Sequence, residues 1–304
     1  MTELPQAEAL TRRPGAPYSG PARQQRTLQR LRRLAGFLLR RPGLVLSVLL
    51  LLLVLVSAFF PGLFTSQDPL SGVPRDKLRS PGAGHLFGTD QLGRDLFSRV
   101  VHGSALSLRA TLLAVAVGLV IGSALGLLAG YLGGWVDAVS MRAADVLLAI
   151  PNLLLSLAVV TALGFGTVKV AIAVGVTSVA SFARIMRSEV LRVRAAVYVE
   201  AARSSGVRWF TVLWRHVLPN AAGPVLVYAT VDLGAVVLQV SSLSFLGYGA
   251  TPPAPEWGAL VSGGRDYLAT AWWLTILPGL TIAATVLAAN RLARALDGEG
   301  RQTR

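Results

Sequence analysis

Few residues of this chain have the types and spacing that chemistry requires. Asp90 and Asp95 lie close to Arg94, an arrangement that a catalytic or metal-binding site could use. However, the segment does not supply three or more convergent metal ligands. A Thr-Asp turn that leads into a short amphipathic helix with internal ion pairs accounts for the same spacing. We therefore favour a structural role for these residues.

The other reactive residue types indicate no site either. The three histidines, His85, His102 and His216, are scattered and lack the spacing of metal ligands. The chain has no cysteine, which excludes disulfides, thiolate metal sites and cysteine nucleophiles. The sequence contains no G-x-x-x-x-G-K-[ST] loop, so we expect no nucleotide site of that type. We expect no bound metal and no covalent chemistry.

The composition indicates an integral membrane protein. Of the 304 residues, 53% are hydrophobic and only 14% are charged. The formal net charge is +14, and most of the basic residues are arginines beside apolar runs. That distribution fits the positive-inside rule better than binding to nucleic acid.

Six apolar segments predict an all-α, polytopic membrane protein with six transmembrane helices. The first segment covers residues 42–60, and the others cover about 105–129, 138–163, 168–183, 222–246 and 274–293. Pro151 predicts a kink in the third segment. The arginine-rich flanks place both termini in the cytoplasm and residues 61–103 outside, as in a multi-pass membrane protein.

The remaining parts of the chain are tails and one polar connection. Residues 1–41 predict a cytoplasmic tail that ends in a basic amphipathic helix, with leucines at helical spacing between residues 28 and 39. Residues 295–304 predict a second cytoplasmic tail. The connection over residues 184–220 lies between the fourth and fifth spans, so six spans with both ends inside make it cytoplasmic.

Within that connection, residues 200–220 predict a helix, a sharp turn and a second helix. The first helix covers about residues 197–205, and Gly206 follows where a helix end favours positive φ. The second covers about residues 208–218, and Pro219 suits the first turn of the next element. Ala201, Ala202 and Gly206 leave a small surface for another protein, and Glu200, Arg203 and Arg208 provide polar specificity.

Two further patterns lie within the spans. Glycines recur every four residues along one face of the second span, which permits close approach of a neighbouring helix. They are Gly118, Gly122, Gly126 and Gly130. In the fifth span, Asp232 and Gln239 lie seven residues apart on nearly the same helix face. A buried carboxylate is costly in a membrane, so Asp232 either faces a polar pathway through the membrane or pairs with a basic or hydroxyl group of a partner subunit.

Several of these stretches resemble one family. Glu200-Ala201-Ala202, three residues, Gly206 and then Leu218-Pro219 is similar to the "EAA" loop in the membrane subunits of bacterial ABC importers. That pattern usually has an aliphatic residue where this chain has His216. Residues 88–95 resemble a "GTDxxGRD" segment, and residues 243–258 resemble "LSFLGxG…PPxPEWG". Both are typical of C-type subunits of dipeptide, oligopeptide and nickel permeases.

The resemblance implies a fold, a function and partners. The fold is that of a type I ABC importer permease over residues 104–294, preceded by one extra span. The function is half of the translocation pathway of a peptide importer, with the EAA loop docked on an ATPase subunit. The partners are a related B-type permease that forms a heterodimer, two ABC ATPases and an external solute-binding protein. ATP and Mg would bind to the ATPases, and this chain would hold no cofactor.

Two alternatives stay open at this point. Related permeases with these motifs carry nickel or metal–chelator complexes, so the cargo could be one of those. The chain could also be a membrane scaffold or sensor that does not transport, although the intact docking loop argues against that function.

Overall fold

The computed structural model describes residues 42–302 of the chain, and the side chains of residues 42–295. The amphipathic helix predicted over residues 28–39 lies outside the described residues. Ten α-helices and short turns make up the described part, in agreement with the predicted all-α class. The helices are α1 (Pro42–Phe59), α2 (Leu96–Leu132), α3 (Gly134–Ala149), α4 (Asn152–Leu163), α5 (Thr167–Arg194), α6 (Val197–Ser204), α7 (Trp209–Val212), α8 (Leu218–Phe245), α9 (Trp257–Gly264) and α10 (Trp273–Gln302).

Five helical segments of the described chain are long and apolar enough to cross a membrane. They are α1, α2, α5, the continuous run Trp209–Phe245 and the part of α10 over Trp273–Ala295. A sixth is present if α3 and α4 are taken as one span. The count agrees with the six predicted spans.

The predicted third span is broken more sharply than a kink. The chain bends by 99° between α3 and α4, at Ile150 and Pro151. Pro151 has no amide hydrogen, and the residue before a proline is driven towards extended geometry. Ile150 is extended, with φ −92° and ψ 130°. The helix therefore ends here and a new one begins.

Helices α2 and α5 share the most extensive contact of any helix pair in the described chain. The four glycines of α2 face α5. A Cβ atom on Gly122 would lie 2.5 Å from the Val179 carbonyl oxygen, and one on Gly130 would lie 3.0 Å from the Arg187 carbonyl oxygen. Without side chains on this stripe, the two backbones come into direct contact.

The segment that precedes α2 folds onto the helix bundle through polar contacts. Asp95 begins α2 by accepting a hydrogen bond of 2.7 Å from the Ser98 amide, and His85 pairs with Asp95 at 2.9 Å. Asp90 pairs with Arg94 at 2.7 Å. Asp90 and Asp95 thus have the structural role that we favoured, as an ion-pair partner and a helix cap. The helix that follows is the 37-residue α2 and not the short amphipathic helix that we predicted.

The entry to α9 is fixed by a buried acid. Glu256 is fully buried and accepts hydrogen bonds from the Gly258 and Ala259 amides and from Ser107 Oγ of α2. Burial raises the pKa of the Glu256 carboxyl, although the two amide donors oppose that shift. The next residue, Trp257, donates from its indole nitrogen to the Val100 carbonyl at 2.9 Å. The start of α9 is therefore locked against α2.

The glycine stripe yields a prediction about stability. Gly126→Ala adds a Cβ that would overlap the Ala183 carbonyl oxygen of α5, so the helices must separate. We expect a loss of about 1–3 kcal/mol, measured as a lower thermal unfolding midpoint in detergent. Gly279→Ala in α10 is the matched control, because its Cβ would meet no atom within 4 Å. Equal midpoints for the two variants would contradict the assigned contact.

Candidate functional site

The turn at Gly206 has the geometry that the sequence predicts. Gly206 has φ +76°, which confirms the prediction of positive φ past the end of a helix. The Gly206 amide donates to the Arg203 carbonyl, and the Val207 amide donates to the Ala202 carbonyl. These two bonds form a Schellman motif that closes the carboxyl end of α6. The chain direction after α6 is therefore fixed by the backbone.

The surface around this turn is open. Glu200, Ala201, Arg203, Gly206 and Arg208 are exposed. Ala202 and Leu218 are half-buried and pack against the core, whereas Pro219 is exposed. A Cβ on Gly206 would meet no atom within 4 Å. The structure thus presents most of the predicted docking residues on one accessible segment.

Large apolar side chains flank these residues, and the sequence interpretation did not select them. Val197 is 81% exposed, Trp209 57%, Phe210 56% and Trp214 51%. Exposed apolar patches rimmed by polar groups are typical of protein or membrane contact surfaces. The adjacent aromatic pair Trp209-Phe210 in a polar, basic segment was the signal that could have identified them.

The segment is anchored to the end of α2. Tyr131 is the centre of this anchor: its hydroxyl donates to the Trp209 carbonyl at 3.0 Å, and the Arg203 guanidinium lies 5.0 Å from its ring centroid. Arg194 at the end of α5 donates to the Tyr131 carbonyl at 2.9 Å. Close by, Arg187 of α5 forms an ion pair with Asp137 of α3. A displacement of α6 would therefore be transmitted to α2 and α5.

The prediction of a separate second helix over residues 208–218 is wrong. α7 continues through a π-helical turn, Leu213–Val217, directly into α8 without a break. Pro219 lies in the first turn of α8, next to the π turn. A proline is tolerated in a first helical turn, where its missing amide hydrogen costs little. The docking segment and the fifth span are thus one continuous helical rod from Trp209 to Phe245.

The polar stripe of α8 faces α5 of the same chain. Asp232 is only 9% exposed and accepts a hydrogen bond of 3.0 Å from Ser178 Oγ. Gln239 Oε1 accepts a hydrogen bond of 3.3 Å from Thr177 Oγ1. The sequence interpretation considered a pathway or a partner subunit but not this intrachain hydroxyl. Because the helix pair already satisfies both groups, the pathway role of Asp232 and Gln239 stays a prediction.

No cluster of three or more His, Asp or Glu side chains that could hold a metal ion occurs within residues 42–295. Several described acids instead pair with arginines, hydroxyls or backbone amides, as Asp137, Asp232 and Glu256 show.

Comparisons with known proteins identify the family. Residues 122–299 match the model of the "Binding-protein-dependent transport system inner membrane component" family. The chain belongs to this family of ABC importer permeases, within the dipeptide, oligopeptide and nickel group. It is therefore a multi-pass inner-membrane permease subunit and not an enzyme, since ATP hydrolysis is the work of partner ATPases in these importers. The family also implies, in general terms, a partner permease and a binding protein.

Individual relatives support this assignment. The chain is 41% identical over 259 residues to the glutathione transport system permease protein GsiD of Pectobacterium atrosepticum, a match that covers 85% of this chain and 86% of the relative. It is 43% identical over 251 residues to GsiD of Escherichia coli O1:K1 / APEC, covering 82% and 83%.

Two solved structures share the fold. One is an amino acid ABC transporter with histidines, with TM-score 0.52 and 17% identity over 67% of this chain and 95% of that chain. The other is the MetNI methionine ABC transporter in inward-facing conformations, with TM-score 0.51 and 19% identity over 65% and 96%. At such identities the similarity shows the fold alone.

The contact between α8 and α5 yields a second prediction. Ser178→Ala leaves Asp232 without its described donor, and we expect a loss of about 1–3 kcal/mol in unfolding free energy. Asp232→Asn keeps an acceptor oxygen for Ser178, so we expect it to unfold near the wild-type midpoint. If Asp232 also serves the pathway, this variant lowers uptake while the yield of the complex is unchanged.

The matched control is Ser242→Ala. Its hydroxyl is exposed and donates only to the Leu238 carbonyl of its own helix, so we expect a change within about 0.5 kcal/mol. If Ser178→Ala unfolds at the same midpoint as Ser242→Ala, the Ser178 hydrogen bond contributes nothing to the fold.

Proposed function

We propose that this chain forms half of the translocation pathway of an ATP-driven importer of small peptides. We further propose that residues 197–220 dock an ATPase subunit. The observation that supports docking is the exposed α6 and its turn at Gly206, anchored through Tyr131 to the ends of α2 and α5. A partner that moves α6 would drive those two helices as a unit, because their backbones are in contact.

The docking surface combines shape and charge. Ala201 and Gly206 allow a partner backbone to approach closely, while Glu200, Arg203 and Arg208 provide charges of both signs. Exposed Trp209 and Phe210 add apolar area beside them. Small residues, directional charges and an aromatic anchor together are typical of specific protein interfaces.

Closure of the ATPase pair on ATP would then switch the permease between two states. The rod from Trp209 to Phe245 links the docking surface to the core of the bundle without an intervening loop. Rigid-body movement of such elements is an established form of conformational switching. ATP and Mg would bind to the two ATPase subunits, and this chain would hold no cofactor.

The cargo that we propose is a short peptide, with glutathione as the first candidate. The similar curated proteins are named as permeases of a glutathione transport system, and glutathione is itself a tripeptide. We rank nickel and metal–chelator complexes second, because the two relatives reported above are named for glutathione. The B-type permease and the external binding protein, which would select the cargo, complete the proposed complex.

A matched pair of substitutions at Gly206 tests the docking role. Gly206→Val places a β-branched residue at φ +76°, whereas asparagine tolerates this conformation. We expect Gly206→Val to reduce ATPase co-purification and glutathione uptake by about tenfold, since the strain is about 1–2 kcal/mol. Gly206→Asn should retain most of the ATPase co-purification and most of the glutathione uptake. Both variants should still insert into the membrane.

Three outcomes of this experiment are distinct. Normal co-purification and uptake with Gly206→Val would overturn the docking assignment. Equal loss in both variants would mean that the partner requires the absence of a side chain and not the turn itself. Normal ATPase binding with uptake of a dipeptide or nickel but not of glutathione would keep the docking role and change the cargo.

The proposed orientation places both termini and Gly206 in the cytoplasm, with residues 61–103 outside. Because the chain has no cysteine, single cysteines report the topology cleanly. We expect a membrane-impermeant maleimide on intact cells to label Leu86→Cys and Thr251→Cys but not Ser205→Cys. All three positions are exposed in the isolated chain, so the purified permease, freed of ATPase subunits, should be labelled in every variant. The inverse pattern would reverse the orientation.

A further inference from the structure

Arg109 is a charged side chain inside a membrane helix that has no partner among the described side chains. It lies thirteen residues into α2, between Leu108 and Ala110, and it is exposed. Among the side chains of residues 42–295, none forms a hydrogen bond or ion pair with its guanidinium. By contrast, Arg187 pairs with Asp137, and Arg194 donates to the Tyr131 carbonyl. An arginine at membrane depth is costly unless water or an anion accompanies it.

Arg109 opens onto an apolar cavity of about 470 Å³. The cavity lies between α1, α2, α8 and α10. Its walls are largely aliphatic and aromatic, and they include Leu52, Leu55 and Phe59 of α1, Leu108 and Leu112 of α2, and Leu233 of α8. Several of these side chains, including Leu52 and Leu112, are more than half exposed in the isolated chain. The cavity therefore suits an apolar occupant from the surroundings of the helices.

Within the described lining of the cavity, the hydrogen-bond donors of Arg109 alone are free to bind an occupant. Its other polar side chains are Thr111, Thr230 and Thr285. Each threonine hydroxyl donates to a carbonyl of its own helix, at 2.8, 2.7 and 2.8 Å respectively. The lining thus offers a long apolar wall and a single guanidinium. A peptide segment would leave its backbone groups unpaired here, whereas an alkyl chain with one anionic group would not.

Arg109 lies at a depth that a lipid phosphate can match. Ser57 near the end of α1 donates a hydrogen bond of 3.0 Å to Ser104 of α2. These two residues therefore lie at the same depth in the membrane. Arg109 follows five residues later, about 7.5 Å further along α2 by the helical rise. A long arginine side chain covers such a distance when it extends towards the headgroup level.

We propose that this cavity is a binding site for one phospholipid of the surrounding bilayer. The acyl chain would lie between α1 and the other helices, and Arg109 would pair with the phosphate. A guanidinium recognises phosphate through two parallel charge-assisted hydrogen bonds. The lipid would thereby fill the space between α1 and helices α2, α8 and α10 that the described side chains leave open.

Native mass spectrometry of the intact importer, with its partner subunits, tests the proposal. The complex is stripped of lipid in detergent and titrated with dioleoyl phosphatidylglycerol. We expect Arg109→Gln to weaken the binding of one lipid by about tenfold or more. Arg142→Gln is the matched control, because Arg142 is exposed on α3 and does not line the cavity, so we expect a change within about twofold.

Three further arms separate the contribution of the alkyl chain from that of the phosphate. Leu112→Trp keeps Arg109 but fills the cavity, and we expect it to weaken lipid binding as well. Dioleoylglycerol, which lacks the phosphate, should bind to the wild type as weakly as phosphatidylglycerol binds to Arg109→Gln. Glycerol phosphate without acyl chains should not displace the lipid at equal concentration.

Several results would overturn the proposal. Equal phosphatidylglycerol binding by wild type and Arg109→Gln, or displacement by glycerol phosphate, would show that the site does not bind a phospholipid as described. If Arg109→Gln separates the permease pair while lipid binding is unchanged, Arg109 pairs with the partner subunit. If carbodiimide couples the Arg109→Lys variant, in the lipid-free complex, to Glu3 or Glu8, the chain itself covers the cavity.

Discussion

The direct contact between the backbones of α2 and α5 is the constraint on which the rest of the structure depends. Lipid is as apolar as leucine. Contacts between apolar side chains therefore contribute little free energy to the association of two membrane helices. A stripe of glycines removes the side chains and allows backbone atoms to pack at short range. Gly122 and Gly126 of α2 meet the backbone of α5 near Val179 and Ala183. The docking segment is anchored to the ends of these same two helices, and so depends on their contact.

Buried polar groups reinforce this arrangement because the bundle offers few other partners. Asp232 and Gln239 on α8 both bind hydroxyls of α5, and Glu256 at the start of α9 binds Ser107 of α2. In a low-dielectric interior each such group must be satisfied within the protein, so each contact also fixes the rotation of a helix. Arg109 is the exception among the groups discussed here, and its open cavity is the reason that a lipid phosphate is a reasonable partner.

Hydropathy and the positions of glycine and proline predicted the membrane spans and their interruptions, because both are local properties of the sequence. Apolar runs of about twenty residues must become helices in a bilayer, so the number and approximate position of the spans follow from composition. Gly206 and Pro151 act on their own backbone, which is why the positive φ at the first and the interruption at the second could be predicted. The family followed from short motifs whose order along the chain is itself sequence information.

The sequence alone determined the all-α membrane class, the family and the turn of the docking segment. Only the tertiary structure decided what each polar face meets: Ser178 for Asp232, Asp137 for Arg187, and an apolar cavity of about 470 Å³ for Arg109. It also decided that α7, the π turn and α8 form one rod. The physical reason is that helical periodicity gives the relative angles of side chains on one helix. The partner of each face depends on the rotation and crossing of neighbouring helices, which packing of the whole bundle sets.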